Sequence, residues 1–439
     1  MGKTLTNRRY YEQKIIQFPR NTLPKEKARL YLNTAFNNNV NYSKHSILGY
    51  PGTIPLAASI EALIKFLALN ANNIGTHTRI ESEAGFKGTQ GLERQCIAMV
   101  GHLFRADNFA NKIDGYLNSG GTEGNIMGLW ILRNYFRKLY SATPVCFKTA
   151  LTHYSIQKAM NLLYLDKVQV LKSNSLFEID LGDLEARVRE LFARGVRYFV
   201  VIATLGYTVT GSIDRIESIN RLINRLNREL GVIIKIHLDA AHGGFIYPFL
   251  TKNRYGFNLR HVYTMSLDAH KLGLVPYSCG IFLCRKHLQR FIETNVDYIK
   301  SHFDDTLCGS RSGAIAASLW AAITSLGMVG YRRIYNKCLA SKLYLIKELK
   351  RKNINCWYYT NDSMNIICVE FNGLRDNRLS EKIEQKYGLN LAQVPFSEST
   401  RNVYKIVLMP HVKGTTIDEF VRDVCSEHRE IGRKNPSFG

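Results

Sequence analysis

The stretch Ser266-Leu267-Asp268-Ala269-His270-Lys271-Leu272-Gly273 decides how this chain is interpreted. It overlaps the end of a short apolar run, residues 262–267, which is typical of a buried strand, and it places a lysine just beyond that run. A second apolar run, residues 232–238, ends in Asp239. Because ligand sites in parallel sheets lie beyond the carboxyl ends of the strands, the two patterns predict an amine and a carboxylate in one site.

A third segment, residues 119–125 (SGGTEGN), opens a predicted helix. The first turn of a helix carries unpaired N–H groups and the positive end of the helix dipole, so it can bind an anion. Pyridoxal 5′-phosphate (PLP) needs an amine as imine partner, a carboxylate that keeps the pyridine nitrogen protonated, and a seat for its phosphate. The three segments together therefore predict a PLP site.

Composition places the chain among large globular proteins. It has 439 residues, no apolar run of the roughly 18 residues that a membrane helix needs, and no signal-peptide pattern at its start. Its nine cysteines are scattered without a zinc-like spacing, so we expect reduced thiols, a cytoplasmic location and no metal site. Residues 1–6 match the loose pattern for N-myristoylation, which short segments also match by chance.

The formal net charge of +23 is compatible with an anionic partner. The basic residues are spread along the chain, however, and form neither an arm nor a stripe interleaved with aromatic residues. We therefore expect no nucleic-acid partner, while contact with a membrane stays open.

Predicted helices and unbroken apolar strands alternate through the middle of the chain, which favours an α/β fold with a mainly parallel sheet covered by helices. The predicted strands lie at residues 145–150, 168–171, 198–203, 232–238, 262–267 and 280–284. We predict an N-terminal arm (1–60), a large PLP-binding domain (61–313) and a small α+β C-terminal domain (314–439).

Six motifs in a fixed order resemble the group II family of PLP-dependent amino-acid decarboxylases. They are NSGGTEGN (118–125), THYS (152–155), ATLGYTVTGSID (203–214), HLDAAHGG (237–244), SLDAHKLG (266–273) and GSRSG (309–313). Some segments are similar to histidine and serine decarboxylases, others to archaeal tyrosine/aspartate decarboxylases and, more distantly, to sphingosine-1-phosphate lyase. The resemblance implies the type I PLP fold, which is also called aspartate aminotransferase-like.

The resemblance also implies roles for individual residues. Lys271 would form the imine with the cofactor, Asp239 would pair with the pyridinium nitrogen, and His153 would stack on the ring. Ala241 would pack against the ring, and Thr204 would lie beside the histidine. The residues implied for the phosphate are Gly121 and Thr122, with His270 and Asp268 assisting.

Two further roles come from the same resemblance. Gly309 and Ser310 would contact the phosphate of a neighbouring subunit, which implies a homodimer with shared active sites. Tyr298 would lie on a mobile loop and return a proton to the substrate carbon. His242 stands where many relatives carry tyrosine, phenylalanine or leucine, and either a substrate contact or a structural role fits it.

These features predict decarboxylation of an L-amino acid to the amine and carbon dioxide, and they leave aromatic, histidine, serine and acidic substrates open. Two alternatives remain at this point. One is a carbon–carbon lyase of the sphingosine-1-phosphate lyase type, which a basic surface would suit. The other is a catalytically silent PLP-fold binding protein, against which the set of Lys271, Asp239 and His153 argues.

Overall fold

The computed structural model describes residues 21–434 except residues 82, 107, 397 and 398, and excludes the side chains of residues 109 and 430–434. The predicted myristoylation segment therefore lies outside the described residues. The chain forms two compact units, Met1–His45 and Ser46–Gly439. In the described part of the first unit, helix α1 (Lys25–Asn37) leaves Leu30, Leu32 and Phe36 exposed.

A seven-stranded sheet forms the centre of the second unit. Its strands in chain order are β1 (Ile113–Asn118), β2 (Val145–Thr149), β3 (Val168–Leu171), β4 (Tyr198–Thr204), β5 (Ile233–Ala240), β6 (Val262–Asp268) and β7 (Gly280–Arg285). Their order in space is β1-β7-β6-β5-β4-β2-β3. The five strands from β6 to β3 are parallel, and β7 runs antiparallel to both of its neighbours. The mainly parallel sheet and the predicted fold class are thus confirmed.

The register of the parallel strands sets the position of the site. Thr204 at the end of β4 pairs with Asp239 of β5, and Asp239 pairs in turn with Ser266 of β6. The carboxyl ends of three neighbouring strands therefore lie side by side, and the loop that carries Lys271 begins there.

Strand β1 was missed by the sequence analysis. All six of its residues are buried, so it shows no alternation of apolar and polar side chains. It also contains Asp114 and Gly115, two residue types that are depleted in strands. Asp114 is held in the sheet because Lys286 donates to its Oδ1 over 2.7 Å and the backbone N–H of His287 donates to its Oδ2 over 2.8 Å.

Helices cover the sheet, and their positions agree with the apolar periodicity of the sequence. They are α2 (Ala57–Leu67), α3 (Lys87–Leu103), α4 (Gly121–Tyr140), α5 (Tyr154–Leu162), α6 (Leu181–Ala193) and α7 (Ile216–Leu230). Helix α7, for example, buries Ile219, Leu222, Ile223 and Leu226 on one face.

Helix α8 (Gly313–Arg351) leads from the large sheet to a smaller one. Its backbone leaves the helical region at Gly327, with φ 55°, and such a positive φ favours glycine. By length and composition α8 could cross a membrane. A core helix passes the same test, and Leu319, Tyr331 and Tyr335 of α8 belong to the main hydrophobic core.

The smaller sheet is antiparallel, with the order β8-β9-β11-β10. Its strands are β8 (Cys356–Thr360), β9 (Ile366–Phe371), β10 (Leu391–Phe396) and β11 (Ser399–Val407), followed by α10 (Gly414–Lys434), with α9 (Glu381–Tyr387) between β9 and β10. Leu48 packs into the hydrophobic cluster of this region. The domain boundaries at residues 60 and 313 stay predictions.

Candidate active site

Lys271 and Asp268 form an ion pair at the end of β6, in which Asp268 is buried and Lys271 is partly buried. Nζ of Lys271 lies 2.8 Å from Oδ2 of Asp268. Burial lowers the pKa of Lys271, but Asp268 outweighs this effect, so the pKa of Lys271 is raised above its ordinary value. Asp268 is the counter-ion of the amine in this structure, and its predicted assistance at the phosphate stays a prediction.

Asp239 is 3% exposed at the end of β5. Asn125 donates from Nδ2 to its Oδ2 over 3.0 Å, and the backbone N–H of Ala241 donates to its Oδ1 over 3.1 Å. Burial raises the pKa of Asp239, while these two donors and the charges of His153 and Lys271 oppose the rise. Each carboxylate oxygen keeps a lone pair for a further donor such as a pyridinium N–H.

His153 caps the N-terminus of α5. The backbone N–H of Ser155 donates to Nδ1 of His153 over 3.3 Å, and Oγ of Ser155 lies 2.8 Å from the same nitrogen. Burial lowers the pKa of His153, and the charges of Asp239 and Lys271 act on it as well. The predicted ring-stacking histidine, amine and carboxylate therefore lie close enough together for their charges to interact.

The N-terminus of α4 supplies the predicted anion seat. Gly120 has φ 150°, and a Cβ on it would lie 3.1 Å from Cε1 of His270. A Cβ on Gly121 would lie 3.0 Å from Cβ of Ala241 and 3.2 Å from Oδ2 of Asp268. Glycine therefore lets the helix terminus approach the loops after β5 and β6, and this brings Gly121, Ala241, Asp268 and His270 together.

The residues present fit PLP. The first amides of α4, the Thr122 hydroxyl and the imidazole of His270 are donors suited to a phosphate. Nδ2 of Asn118, which is buried next to this helix terminus, has no hydrogen-bond partner among the residues that the structure describes. Lys271 supplies the amine and Asp239 the carboxylate that the pyridine ring requires.

Three predicted residues are not brought to this cluster within the chain. Tyr298 is 90% exposed, and no hydrogen bond or ring contact joins it to Lys271, His153 or Asp239 among the described residues. Ser310 is exposed and accepts from Nδ2 of Asn72 over 3.2 Å, and Gly309 precedes it. Their roles, like the roles of the other site residues, stay predictions.

Lys405 is a residue that the sequence analysis missed. It lies on β11, opposite Cys368 of β9. Burial lowers its pKa, and the charge of Lys271 lowers it further. The charge of Lys405 also contributes to the lowered pKa values of His153 and His242, for which burial is the main cause. The feature of the sequence that could have indicated Lys405 is its position within an apolar strand.

His242 is buried and joins the large sheet to the small one. Its Nε2 lies 2.9 Å from Oδ1 of Asn365, whose Nδ2 donates to the carbonyl oxygen of Leu408 over 3.2 Å. An amide oxygen can only accept, so His242 donates from Nε2. This bond supports the structural role for His242, and its proximity to Lys271 and Lys405 leaves a substrate contact open.

Comparisons with known proteins agree with this geometry. Residues 55–371 match the family model described as the pyridoxal-dependent decarboxylase conserved domain. The chain belongs to the pyridoxal-dependent decarboxylase family. Members of this family use PLP, so the predicted cofactor, the enzyme class and the family resemblance are confirmed.

The pyridoxal-dependent decarboxylase is similar to named relatives over most of its length. It is 33% identical over 407 residues to tryptophan decarboxylase of Clostridium sporogenes, covering 89% of this chain and 93% of the relative. It is 30% identical to a probable L-tyrosine/L-aspartate decarboxylase of Methanosphaera stadtmanae, covering 90% and 94%. L-Methionine decarboxylase of Streptomyces sp. 590 shares its fold, with TM-score 0.82, 19% identity and coverage of 95% and 98%.

Proposed function

We propose that this decarboxylase acts on an L-amino acid with an uncharged side chain, with aromatic amino acids foremost. The observation that carries the proposal is the position of Lys405, a cation whose charge reaches Lys271, His153 and His242. The similarity to a tryptophan decarboxylase supports the same substrate class.

The number of unpaired cations near the site limits the number of substrate carboxylates that it can bind. Lys271 is paired with Asp268, whereas no acidic group in the described part of the chain contributes to the pKa shift of Lys405. Among the described residues, the cations that act on both His153 and His242 are Lys271 and Lys405. Lys405 is therefore the one unpaired cation of this pair, and it can pair with one carboxylate, the α-carboxylate of the amino acid. A second carboxylate, as in aspartate or glutamate, would be buried without a partner at considerable cost.

The chain's own groups orient the reactants and hold protons. When bound, PLP accepts the electron pair that the departing carboxylate leaves on the α-carbon. Lys271 and Asp268 can hold one proton between Nζ and Oδ2, and Asp239 offers a fixed negative charge for the ring nitrogen. Lys405 orients the carboxylate of the amino acid, and such positioning lowers the entropic part of the barrier.

The test is product analysis with the PLP-loaded protein. Tryptophan, tyrosine, phenylalanine, methionine, histidine, serine, aspartate and glutamate are supplied separately, and carbon dioxide and amine are measured. Carbon dioxide with the matching amine from an aromatic amino acid supports the proposal. Turnover of aspartate or glutamate in preference to these would overturn the substrate class.

Two outcomes would favour the other candidate functions. Aldehyde and phosphoethanolamine from a phosphorylated sphingoid base, without carbon dioxide, would establish a carbon–carbon lyase. Bound PLP with no product from any of these compounds would favour a silent binding protein.

We further propose a homodimer in which Gly309 and Ser310 reach the phosphate of the neighbouring subunit. Ser310 is exposed and lies outside the cluster of Lys271, Asp239 and His153 in its own chain, which makes it accessible to a second copy. Exposed apolar side chains on α2 and α8, among them Ile64, Leu67 and Val329, support contact with a second copy. Light scattering of the purified protein tests the dimer, and a monomeric mass would overturn it.

We also propose a cytoplasmic location for the protein. All nine cysteines lie in the described part of the chain and are free thiols, and six of them are buried. Free thiols are typical of a reducing compartment. Fractionation of cells that express the protein tests this location.

A further inference from the structure

Asn125 is the centre of a buried hydrogen-bond network beneath the site. Its Nδ2 donates to Oδ2 of Asp239 over 3.0 Å and to Oγ of Ser155 over 2.9 Å. Its Oδ1 lies 2.9 Å from Nε2 of His237. Asn125 is 1% exposed and His237 is fully buried, so every polar atom of the amide is used inside the protein.

The donor and acceptor properties of Asn125, His237 and Thr264 fix the direction of the hydrogen bonds that His237 makes. Oδ1 of Asn125 can only accept, so Nε2 of His237 carries a hydrogen and donates it. Burial lowers the pKa of His237 to about 3, so the ring is neutral at physiological pH and its Nδ1 accepts. Thr264 therefore donates from Oγ1 to Nδ1 over 2.9 Å.

The bonds on the other side of Asn125 are equally directed. The Ser155 hydroxyl accepts from Asn125 and so donates its own hydrogen to Nδ1 of His153. The backbone N–H of Ser155 donates to the same nitrogen. A neutral His153 therefore carries its proton on Nε2. The network thus runs in one direction from Thr264 to His153, with a branch to Asp239.

Close packing holds this network in place. A Cβ on Gly128 of α4 would lie 2.3 Å from Nδ1 of His237, and a Cβ on Gly124 would lie 2.2 Å from Oγ of Ser266. The two glycines let α4 approach β5 and β6 closely. The imidazole of His237 therefore has little room to rotate away from Asn125.

We propose that Asn125 and His237 are positioning residues that keep Asp239 as an oriented carboxylate and set the tautomer of His153. Asp239 needs such support because burial by itself favours the neutral acid, which could not serve as an anionic partner of the ring nitrogen. The side-chain amide of Asn125 can donate to both Asp239 and Ser155 only while its NH2 group faces them. The hydrogen bond from His237 to Oδ1 keeps the amide in this orientation. This role rests on the PLP site and not on the identity of the substrate.

The test compares variants by cofactor affinity, measured by titrating the apoprotein with PLP and following fluorescence. Asn125→Asp keeps the shape of the side chain but places an oxygen against Asp239, and His237→Leu removes the donor to Asn125. We expect each to weaken PLP binding about tenfold or more, as the loss of a hydrogen bond to a charged group does. His237→Gln, which retains a donor near Nε2, should stay within about threefold of the parent.

Kinetics and a matched control separate positioning from folding. In the loaded enzyme, Asn125→Asp should lower kcat much more than it changes KM for the amino acid, because Asp239 acts on the cofactor. Asn134→Asp lies on the same helix, where Asn134 donates to the carbonyl oxygen of Phe291, and should bind PLP like the parent. Thermal unfolding of each apoprotein reports on folding.

Parent-like PLP affinity in both Asn125→Asp and His237→Leu would overturn the proposal. An affinity of His237→Gln as weak as that of His237→Leu, or failure of His237→Gln to fold, would overturn it too, since the ring would then be needed only for packing. If Asn125→Asp fails to fold, the two His237 variants decide the matter. Because the titration needs no turnover, it stands even if the proposed substrate class is wrong.

Discussion

Nζ of Lys271 lies 2.8 Å from Oδ2 of Asp268, so the amine that is predicted to attach the cofactor is held as an ammonium ion by its own loop. An amine must lose its proton before it can act as a nucleophile. Asp268 therefore stabilises the resting amine and at the same time lies where it can receive the proton.

Removing this counter-ion should change the pH dependence of cofactor attachment. Asp268 raises the pKa of Lys271, so Asp268→Asn should increase the fraction of neutral amine at a given pH. We expect the rate of PLP attachment to the apoprotein to reach its plateau at a lower pH than in the parent. The rate is followed by visible absorbance across the pH range. Asp376→Asn, at an exposed carboxylate, is the control, and an unshifted profile in Asp268→Asn would contradict the role.

Replacing Lys405 should affect the substrate more than the cofactor. Lys405→Met removes the free cation, and we expect kcat/KM for the preferred amino acid to fall about tenfold or more, because a hydrogen-bonded charge pair is lost. Lys405→Arg should retain part of the activity, and PLP affinity should be unchanged in both variants. Equal kcat/KM in Lys405→Met and the parent would remove Lys405 from the site.

Two fully buried histidines should make the protein sensitive to acid. Burial lowers the pKa values of His237 and His242 to about 3, below the value of about 6.5 in an unfolded chain. Their neutral forms contribute stability that is fully present above pH 6.5 and is lost as the pH falls toward 3, because the unfolded chain then binds more protons. Each histidine should cost about 1 kcal/mol per pH unit in this window.

Urea unfolding at pH 7, 6 and 5 measures this loss. His242→Gln keeps a donor for Asn365 without a titrating ring, so its free energy of unfolding should fall less steeply with acid than that of the parent. His302→Gln, at an exposed histidine, should show the slope of the parent. Identical slopes for His242→Gln and the parent would refute the assignment.

Two glycine substitutions in helices should have opposite effects. Gly128→Ala places a Cβ 2.3 Å from His237 and should destabilise the protein by about 1–3 kcal/mol through overpacking. Gly91→Ala lies in α3 with no heavy atom within 4 Å of the new Cβ, and should stabilise the protein by about 0.5–1 kcal/mol. Denaturant unfolding compares the two, and destabilisation of similar size in both would contradict the packing argument.

Local patterns predicted most of the large sheet and its helices because each element repeats its apolar residues at its own period. Strand β1 escaped this reasoning because it is buried on both faces and contains Asp114, whose carboxylate is neutralised by Lys286, a residue far away in sequence. In the small sheet, apolar runs at residues 364–371 and 403–408 predict two strands, and β9 and β11 lie there, whereas no such run predicts β8 or β10. Every residue of β8 is half-buried, which weakens the contrast between its faces.

The sequence alone determined the family and the cofactor, and it predicted the cluster of Lys271, Asp239 and His153, because these follow from short motifs that carry their chemistry locally. It did not indicate Lys405, which lies in a strand outside those motifs. It contained Asn125, Ser155 and His237 within those motifs without indicating what they bind. Only the tertiary structure assigned Asn125 to Asp239, His242 to Asn365 and Asp268 to Lys271. Hydrogen bonds join atoms that the strand register and the close approach of α4 bring together, and no spacing along the chain specifies that geometry.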